Sequence, residues 1–268
     1  MLGLAADDFS VLDNGVKQHV AVLTNDAIPL DVTIVVDVSG SVGTPAIRRF
    51  SGAAQQIAAI LHSADRVRIV AFGTDAQELA PLQPRKDNLE LAPLTVRGST
   101  SLNDALIYTA VTTQVAPDRR RLAVVFTDGF ENSSLIGGDD TRSLLLSINT
   151  LIHVVLPSKV VPVMDQLSGG QASRRRLMEL SVITGGEPHA LFDDLSPDVV
   201  RPPSSDQLRE QAVVKAFRGI LDNFRQSYVL QYTVQGVPRA GWHDIAVSVV
   251  RPGSEKYSVR ARKGYFGR

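Results

Sequence analysis

The sequence predicts an α/β fold: a doubly wound, mostly parallel sheet with helices on both faces, joined to a small antiparallel β unit made from the two ends of the chain. Three observations predict it. Apolar runs rich in β-branched residues, such as Val32-Thr33-Ile34-Val35-Val36 and Leu122-Ala123-Val124-Val125-Phe126, alternate with segments whose apolar residues recur every three or four positions. These runs are continuous, as expected of strands covered on both faces. Beyond Asn223 the helical period gives way to short strand-like runs separated by Gly- and Pro-containing turns.

Taken in order, Phe9 to Leu12 and Val16 to Leu23 read as short strands joined at Asp13-Asn14-Gly15, because Asn-Gly supplies the positive φ of a tight hairpin. After Pro29, Asp31 to Asp37 reads as a buried central strand. Pro45 to Leu61 places Ile47, Phe50, Ala54, Ile57, Ala58 and Leu61 on one helical stripe. Val67 to Phe72 is a second strand, and Ala76 to Leu82 an edge strand, since Pro81 and Pro84 cannot donate within a ladder. Thr100 to Val115 is helical, with Leu102, Ala105, Leu106 and Thr109 on one face, and Leu122 to Thr127 is a further buried strand. Ser143 to Ile148, strand Leu151 to Val155, helix Ala172 to Val182, strand Pro188 to Phe192 and helix Asp206 to Phe224 complete the series, with a polar loop from Pro157 to Gly170. The tail offers strands at Tyr228 to Val234, Ile245 to Val250 and Tyr257 to Ala261, with Tyr228, Tyr232, Trp242 and Tyr257 as its aromatic core. A lone hairpin is marginal in water, so the two ends are expected to associate. The resulting division is 1–28 for the first strands of the β unit, 29–224 for the α/β domain and 225–268 for the remaining strands.

Composition narrows the function. The 268 residues are 44% hydrophobic and 21% charged, enough apolar material for a sizeable core. Lys+Arg and Asp+Glu both number 28, so no global field attracts nucleic acid or anionic membrane. The absence of cysteine excludes disulfides, thiolate metal sites and cysteine nucleophiles. No apolar run approaches the roughly 20 residues of a membrane span, and Met1 to Asp8 lacks a signal-peptide core. Oligomeric state has no signature here.

Three loops carry oxygen donors: Asp37-Val38-Ser39-Gly40-Ser41 after the first buried strand, Gly98-Ser99-Thr100 at a helix start, and Thr127-Asp128-Gly129 after a later strand. In open α/β sheets the carboxyl ends of the strands form the ligand crevice, so residues remote in sequence can converge there. Magnesium suits such donors, being a small hard cation that takes about six oxygens and keeps several waters. Hydroxyls of Ser39, Ser41 and Thr100, with Asp37 and Asp128 acting largely through waters, would leave such an ion positive enough to take a partner's carboxylate. Manganese also fits. Calcium is a further candidate, although its sites usually carry more direct carboxylates.

At these residues the chain resembles the von Willebrand factor A-type, or integrin I-like, domain family, over roughly Pro29 to Phe224. The resemblance rests on Asp37, Ser39 and Ser41 as Asp-x-Ser-x-Ser, on Thr100 and on Asp128. It implies a metal-ion-dependent adhesion site held by those five residues, an acidic residue of a partner protein as the sixth ligand, and an extracytoplasmic (periplasmic or secreted) setting. Asp7 to Gly15 and Lys263-Gly264-Tyr265-Phe266 resemble a bacterial subgroup, well represented in Acidobacteria, that wraps the domain in β structure. One departure is Val42-Gly43-Thr44-Pro45 after Ser41, where many members carry a methionine or another bulky apolar residue.

Each signal has a plainer reading. Singly, the Asp-x-Ser-x-Ser segment is a capping turn, Thr100 an N-cap and Asp128-Gly129 a turn. Asp104 reads as support for its helix start or a hydrogen-bond partner of a ligand, and Arg174-Arg175-Arg176 as a solvated helix face. His19, His62, His153, His189 and His243 show no metal-ligand spacing, and the pairs Gly169-Gly170 and Gly185-Gly186 fit helix boundaries better than phosphate loops. The competing function is a magnesium-dependent hydrolase such as a haloacid-dehalogenase-type phosphatase. Ser39, however, stands where its nucleophile loop carries a second aspartate, and no lysine falls at a loop of the site. A structural or vestigial metal site is the third alternative.

Overall fold

A computed structural model describes residues 3–23, 28–93, 98–112, 116, 118–157, 170–191, 205–251, 253 and 258–267. In chain order the elements are β1 (Phe9–Asp13), β2 (Val16–Gln18), β3 (Val20–Leu23), β4 (Leu30–Asp37), α1 (Gly43–Ile60), β5 (Arg66–Phe72), β6 (Ala76–Pro84), α2 (Leu102–Thr112), β7 (Arg120–Phe126), α3 (Gly138–Leu146), β8 (Leu151–Pro157), α4 (Gly170–Ile183), β9 (Pro188–Leu191), α5 (Ser205–Gln226), β10 (Val229–Tyr232), β11 (Gly241–Val249) and β12 (Gly264–Gly267).

The main sheet has six strands in the order β6-β5-β4-β7-β8-β9. All neighbours are parallel except β6, which runs antiparallel to β5. Every residue of β4 is buried, as its unbroken apolar run predicts. Side-chain alternation divides its burial between two cores. Val32, Ile34 and Val36 face Phe50 and Ile57 of α1 and Phe217 and Ile220 of α5. Val35 faces the other way, toward Leu102 and Leu106 of α2, Leu145 of α3 and Leu177 and Leu180 of α4. Helices on both faces make the sheet doubly wound. The chain leaves β4 for β5 on one side and later returns to β7 on the other, so the crossovers diverge at β4. A crevice at the carboxyl ends of β4 and β7 follows from that divergence.

At the sheet edge, β6 accommodates both prolines. Its pairing with β5 shifts register between Val67 and Val70, near Pro81, while Pro84 sits at the final pair opposite Arg66.

The ends of the chain pair as expected. A four-stranded antiparallel sheet runs β12-β11-β1-β2, and a two-stranded one joins β10 to β3. Asn14 at φ 47° and Gly15 at φ 81° form the turn between the paired residues Asp13 and Val16, the geometry that Asn-Gly favours. Phe9, Val11 and Val20 pack with Tyr228, Leu230, Tyr232, Ile245 and Val247.

Two details correct the sequence reading. The last strand is Gly264–Gly267, paired with β11; Tyr257 lies outside the described residues, and 258–261 form no strand. Its two bounding glycines hid this strand, because neither contributes to an apolar alternation. Trp242 lies outside the β core, 37% exposed and edge-on to Phe266 at 5.2 Å. Its neighbour His243 takes the inward position, fully buried, with Nδ1 2.7 Å from Asp13 Oδ1 and Nε2 3.0 Å from the Arg239 carbonyl. Tyr232 and Tyr265 both donate to the other Asp13 oxygen, at 2.9 and 3.2 Å.

Candidate metal centre

Asp37 is the last residue of β4 and is 2% exposed. Its Oδ1 accepts the Ser39 N–H at 2.9 Å and the Ser39 hydroxyl at 2.5 Å. Its Oδ2 accepts the Thr127 hydroxyl at 2.6 Å. Thr127 is itself aimed by the Gly129 N–H, which donates to Oγ1 at 2.9 Å. The carboxylate is thus fixed at both oxygens, bridging the ends of β4 and β7.

Ser39 is buried, and its hydroxyl lies 3.0 Å from that of the exposed Ser41. The Val42 N–H then donates to the Ser39 carbonyl at 3.2 Å, turning the chain into α1. The second loop is tied to the first by the Gly40 N–H, which donates to the Gly98 carbonyl at 3.0 Å. Thr100, two residues on, is buried and held at both main-chain groups: its N–H donates to Asn132 Oδ1 at 2.8 Å, and its carbonyl accepts the Asn132 N–H at 3.0 Å. Asp128 follows β7, half-buried, with Oδ1 accepting the Phe130 N–H at 3.1 Å.

Of the five residues singled out in the sequence, Asp37 and Ser41 are each in direct contact with Ser39. Asp128 joins them electrostatically and through Thr127. Thr100 joins through the main chain; among the described residues no hydrogen bond links its hydroxyl to the other four.

The two ends of β4 differ in their charge neighbours. Asp31, as buried as Asp37, is met by Arg66 and Arg119, each at 2.6 Å. Burial pushes its carboxyl up, but those guanidinium groups outweigh burial and leave it below the ordinary carboxylate value. The Asp37 carboxyl is pushed up to about 6, first by burial and then by the nearby Asp128 carboxylate, against the pull of the Ser39 and Thr127 hydrogen bonds. A carboxylate so placed gains most from a cation. Among the described residues no three His, Asp or Glu side chains form a metal-binding group. The donors at hand are hydroxyls and two carboxylates, an all-oxygen set that fits a hard divalent cation.

Neighbouring residues missed in the sequence complete the crevice. Thr127 was visible only as the residue before Asp128. Glu131 accepts N–H groups of Asn103, Ser133 and Ser134 at 2.9 to 3.0 Å and the Ser134 hydroxyl at 2.6 Å. Asp104, read in the sequence as support for its helix start or a partner of a ligand, instead accepts the N–H groups of Leu135 and Ile136 at 2.8 and 3.0 Å and pins the loop after β7. This loop, whose conformation periodicity does not fix, is held along the first turn of α2 and lifts Leu135 to 96% exposure. The reading of Arg174 as a solvated residue is corrected as well: it is 8% exposed, and its Nε donates to the Asp128 carbonyl at 2.5 Å. Its neighbours Arg175 and Arg176 are exposed, because only Arg174 faces the carboxyl edge of the sheet.

The fold has counterparts. Residues 32–131 match the family model of the von Willebrand factor type A domain, a span that includes all five candidate residues. None of the curated proteins compared matches the chain. Among solved structures, the chain is similar to a von Willebrand factor type A protein from Catenulispora acidiphila, at 15% identity and a TM-score of 0.53, covering 81% of this chain and 51% of that one. It is also similar to the ArnB paralog VWA2 from Sulfolobus acidocaldarius, at 14% identity and a TM-score of 0.51, covering 78% of this chain and 51% of that one. The chain thus spans about half the length of each. At these identities the likeness is one of fold. Among the described residues no helix is long and apolar enough to cross a membrane.

Proposed function

We propose that this von Willebrand factor A-type fold serves as a protein-binding module, in which Asp37, Ser39, Ser41, Thr100 and Asp128 hold a divalent cation that takes an acidic side chain of a partner protein. The observation that carries this reading is the buried Asp37 carboxylate, oriented at both oxygens by hydroxyls and faced by a second carboxylate. Bound there, magnesium or manganese would supply an electrophilic position for a ligand oxygen.

The residues of the chain do the rest. Neutral hydroxyls at Ser39, Ser41 and Thr100 would hold such an ion without cancelling its charge. Thr127 and Ser39 hold Asp37 so that its carboxylate need not reorganise when a cation arrives. Glu131, Asp104 and Asn132 spend their polar groups on the surrounding loop and so fix the rim on which a partner would rest. The same arrangement disfavours hydrolysis by an aspartyl nucleophile: the hydroxyl of Ser39 hydrogen-bonds to Asp37 where a second carboxylate would be required. An extracytoplasmic setting is part of the proposal and rests on the family resemblance.

The test is a magnesium titration by calorimetry, together with an array of carboxylate-bearing peptides probed with and without the metal. One equivalent of magnesium is expected to bind, with peptide capture that disappears in EDTA and in Asp37→Ala. Capture unchanged by EDTA would refute the reading.

A further inference from the structure

Arg174 lies in the first turns of α4, yet it is turned inward against the candidate centre. Its Nε donates to the Asp128 carbonyl at 2.5 Å, and its guanidinium lies 5.1 Å from the centre of the Phe130 ring. Its shank crosses Gly129 so closely that a Cβ at that position would lie 2.5 Å from Arg174 Cγ, and Gly129 has φ +80°. Only glycine allows both the turn and the crossing. A positive charge is thereby fixed at the main chain of one of the two site carboxylates.

From this geometry we propose that Arg174 is a specificity-determining residue that makes the cation-loaded centre select an anionic ligand group, an inference that rests on the cation-binding function proposed above. Asp37 and Asp128 offset much of the charge of a divalent cation, and the Glu131 and Asp104 carboxylates along the rim add to that offset. Arg174 puts one positive charge back beside Asp128. Without it the centre's preference for a carboxylate over an amide is weaker. Because the guanidinium is largely shielded from water, salt and solvent screen it less than a surface charge. The same charge repels the cation. Arg174 therefore lowers the centre's affinity for metal and raises its affinity for an acid, two effects of opposite sign.

The experiment measures magnesium affinity by calorimetry, and then the affinity of the magnesium-loaded protein for acetate by NMR titration, at pH 7.5 in wild type, Arg174→Gln, Arg174→Met and Arg174→Lys. Melting temperature and circular dichroism of the metal-free proteins establish folding. Arg174→Met retains an apolar shank over Gly129, and is the second charge-removing variant should Arg174→Gln fold poorly. Removing the charge is expected to tighten magnesium binding severalfold and to weaken acetate about tenfold, while Arg174→Lys stays within about threefold of wild type for acetate. A role confined to bracing the turn would weaken magnesium in all three variants and would leave Lys no better than Gln or Met; that pattern overturns the proposal. A wild-type protein that binds no magnesium would refute the cation-binding function itself. Magnesium binding with acetate affinity unchanged by every substitution would refute only the role of Arg174.

Discussion

The hydroxyl of Thr127 donates to Oδ2 of Asp37 across 2.6 Å, joining the carboxyl ends of two neighbouring parallel strands at the point where the chain's crossovers diverge. Asp37 is thereby oriented before any ligand arrives. Replacing Thr127 with valine keeps the shape but leaves one oxygen of a buried carboxylate without its donor. The metal-free protein is expected to lose about 1–3 kcal/mol in urea denaturation, and magnesium affinity about tenfold. Thr127→Ser should restore most of both.

The raised pKa of Asp37 gives a pH dependence of definite sign. Its folded value of about 6 lies above the ordinary 3.8, so the unfolded chain releases the proton first. The contribution is fully present below about pH 4 and is lost as pH rises through 6, amounting to at most about 3 kcal/mol. Thermal melts of the metal-free protein should show this loss between pH 4 and 6, and Asp37→Asn should flatten it. Magnesium competes with the same proton, so its affinity should fall about tenfold per unit below pH 6.

His153 predicts the opposite slope. Burial, then the neighbouring His189 and Arg260, push its imidazole down to about 3, while its Nδ1 lies 3.0 Å from His189 Nε2. A buried neutral histidine stabilises the fold above the unfolded value near 6.5, and that contribution is lost as pH falls toward 3. Comparing His153→Gln with wild type in urea at pH 7.5 and pH 5 should show a smaller acid loss in the variant. An equal loss would assign the acid sensitivity elsewhere.

The loop after β7 owes its order to two carboxylates. Asp104→Ala removes the acceptor of the Leu135 and Ile136 N–H groups, and Glu131→Ala removes that of Ser133 and Ser134. Each substitution should speed hydrogen exchange at its own amides by about tenfold or more while leaving exchange in β4 and β7 unchanged. Faster exchange throughout the sheet would show that these carboxylates support the whole fold.

The sheet was legible because its strands are covered on both faces: Val32 to Val36 and Leu122 to Phe126 have no polar alternation to confuse them with surface strands. The first turn was equally plain, since Asn14-Gly15 admits few conformations. The final strand was not, because Gly264 and Gly267 contribute no side chain to a pattern. At the centre, Asp37, Ser39 and Ser41 were visible as a local spacing. Arg174 was hidden by its own context, three consecutive arginines that read alike in sequence; only the direction of α4 turns one inward and leaves two in solvent. The partners of Glu131 and Asp104 were hidden for a related reason. Each carboxylate serves main-chain groups across a loop, and no side-chain spacing records such a pairing.

The most direct measurement of the central claim is anomalous diffraction from crystals of the protein soaked in manganese. The account predicts one strong peak bounded by the hydroxyls of Ser39, Ser41 and Thr100, with Asp37 and Asp128 beside it, and its disappearance in Asp37→Ala. A manganese-soaked crystal with no peak between those side chains, or with its ion bound elsewhere, would contradict it.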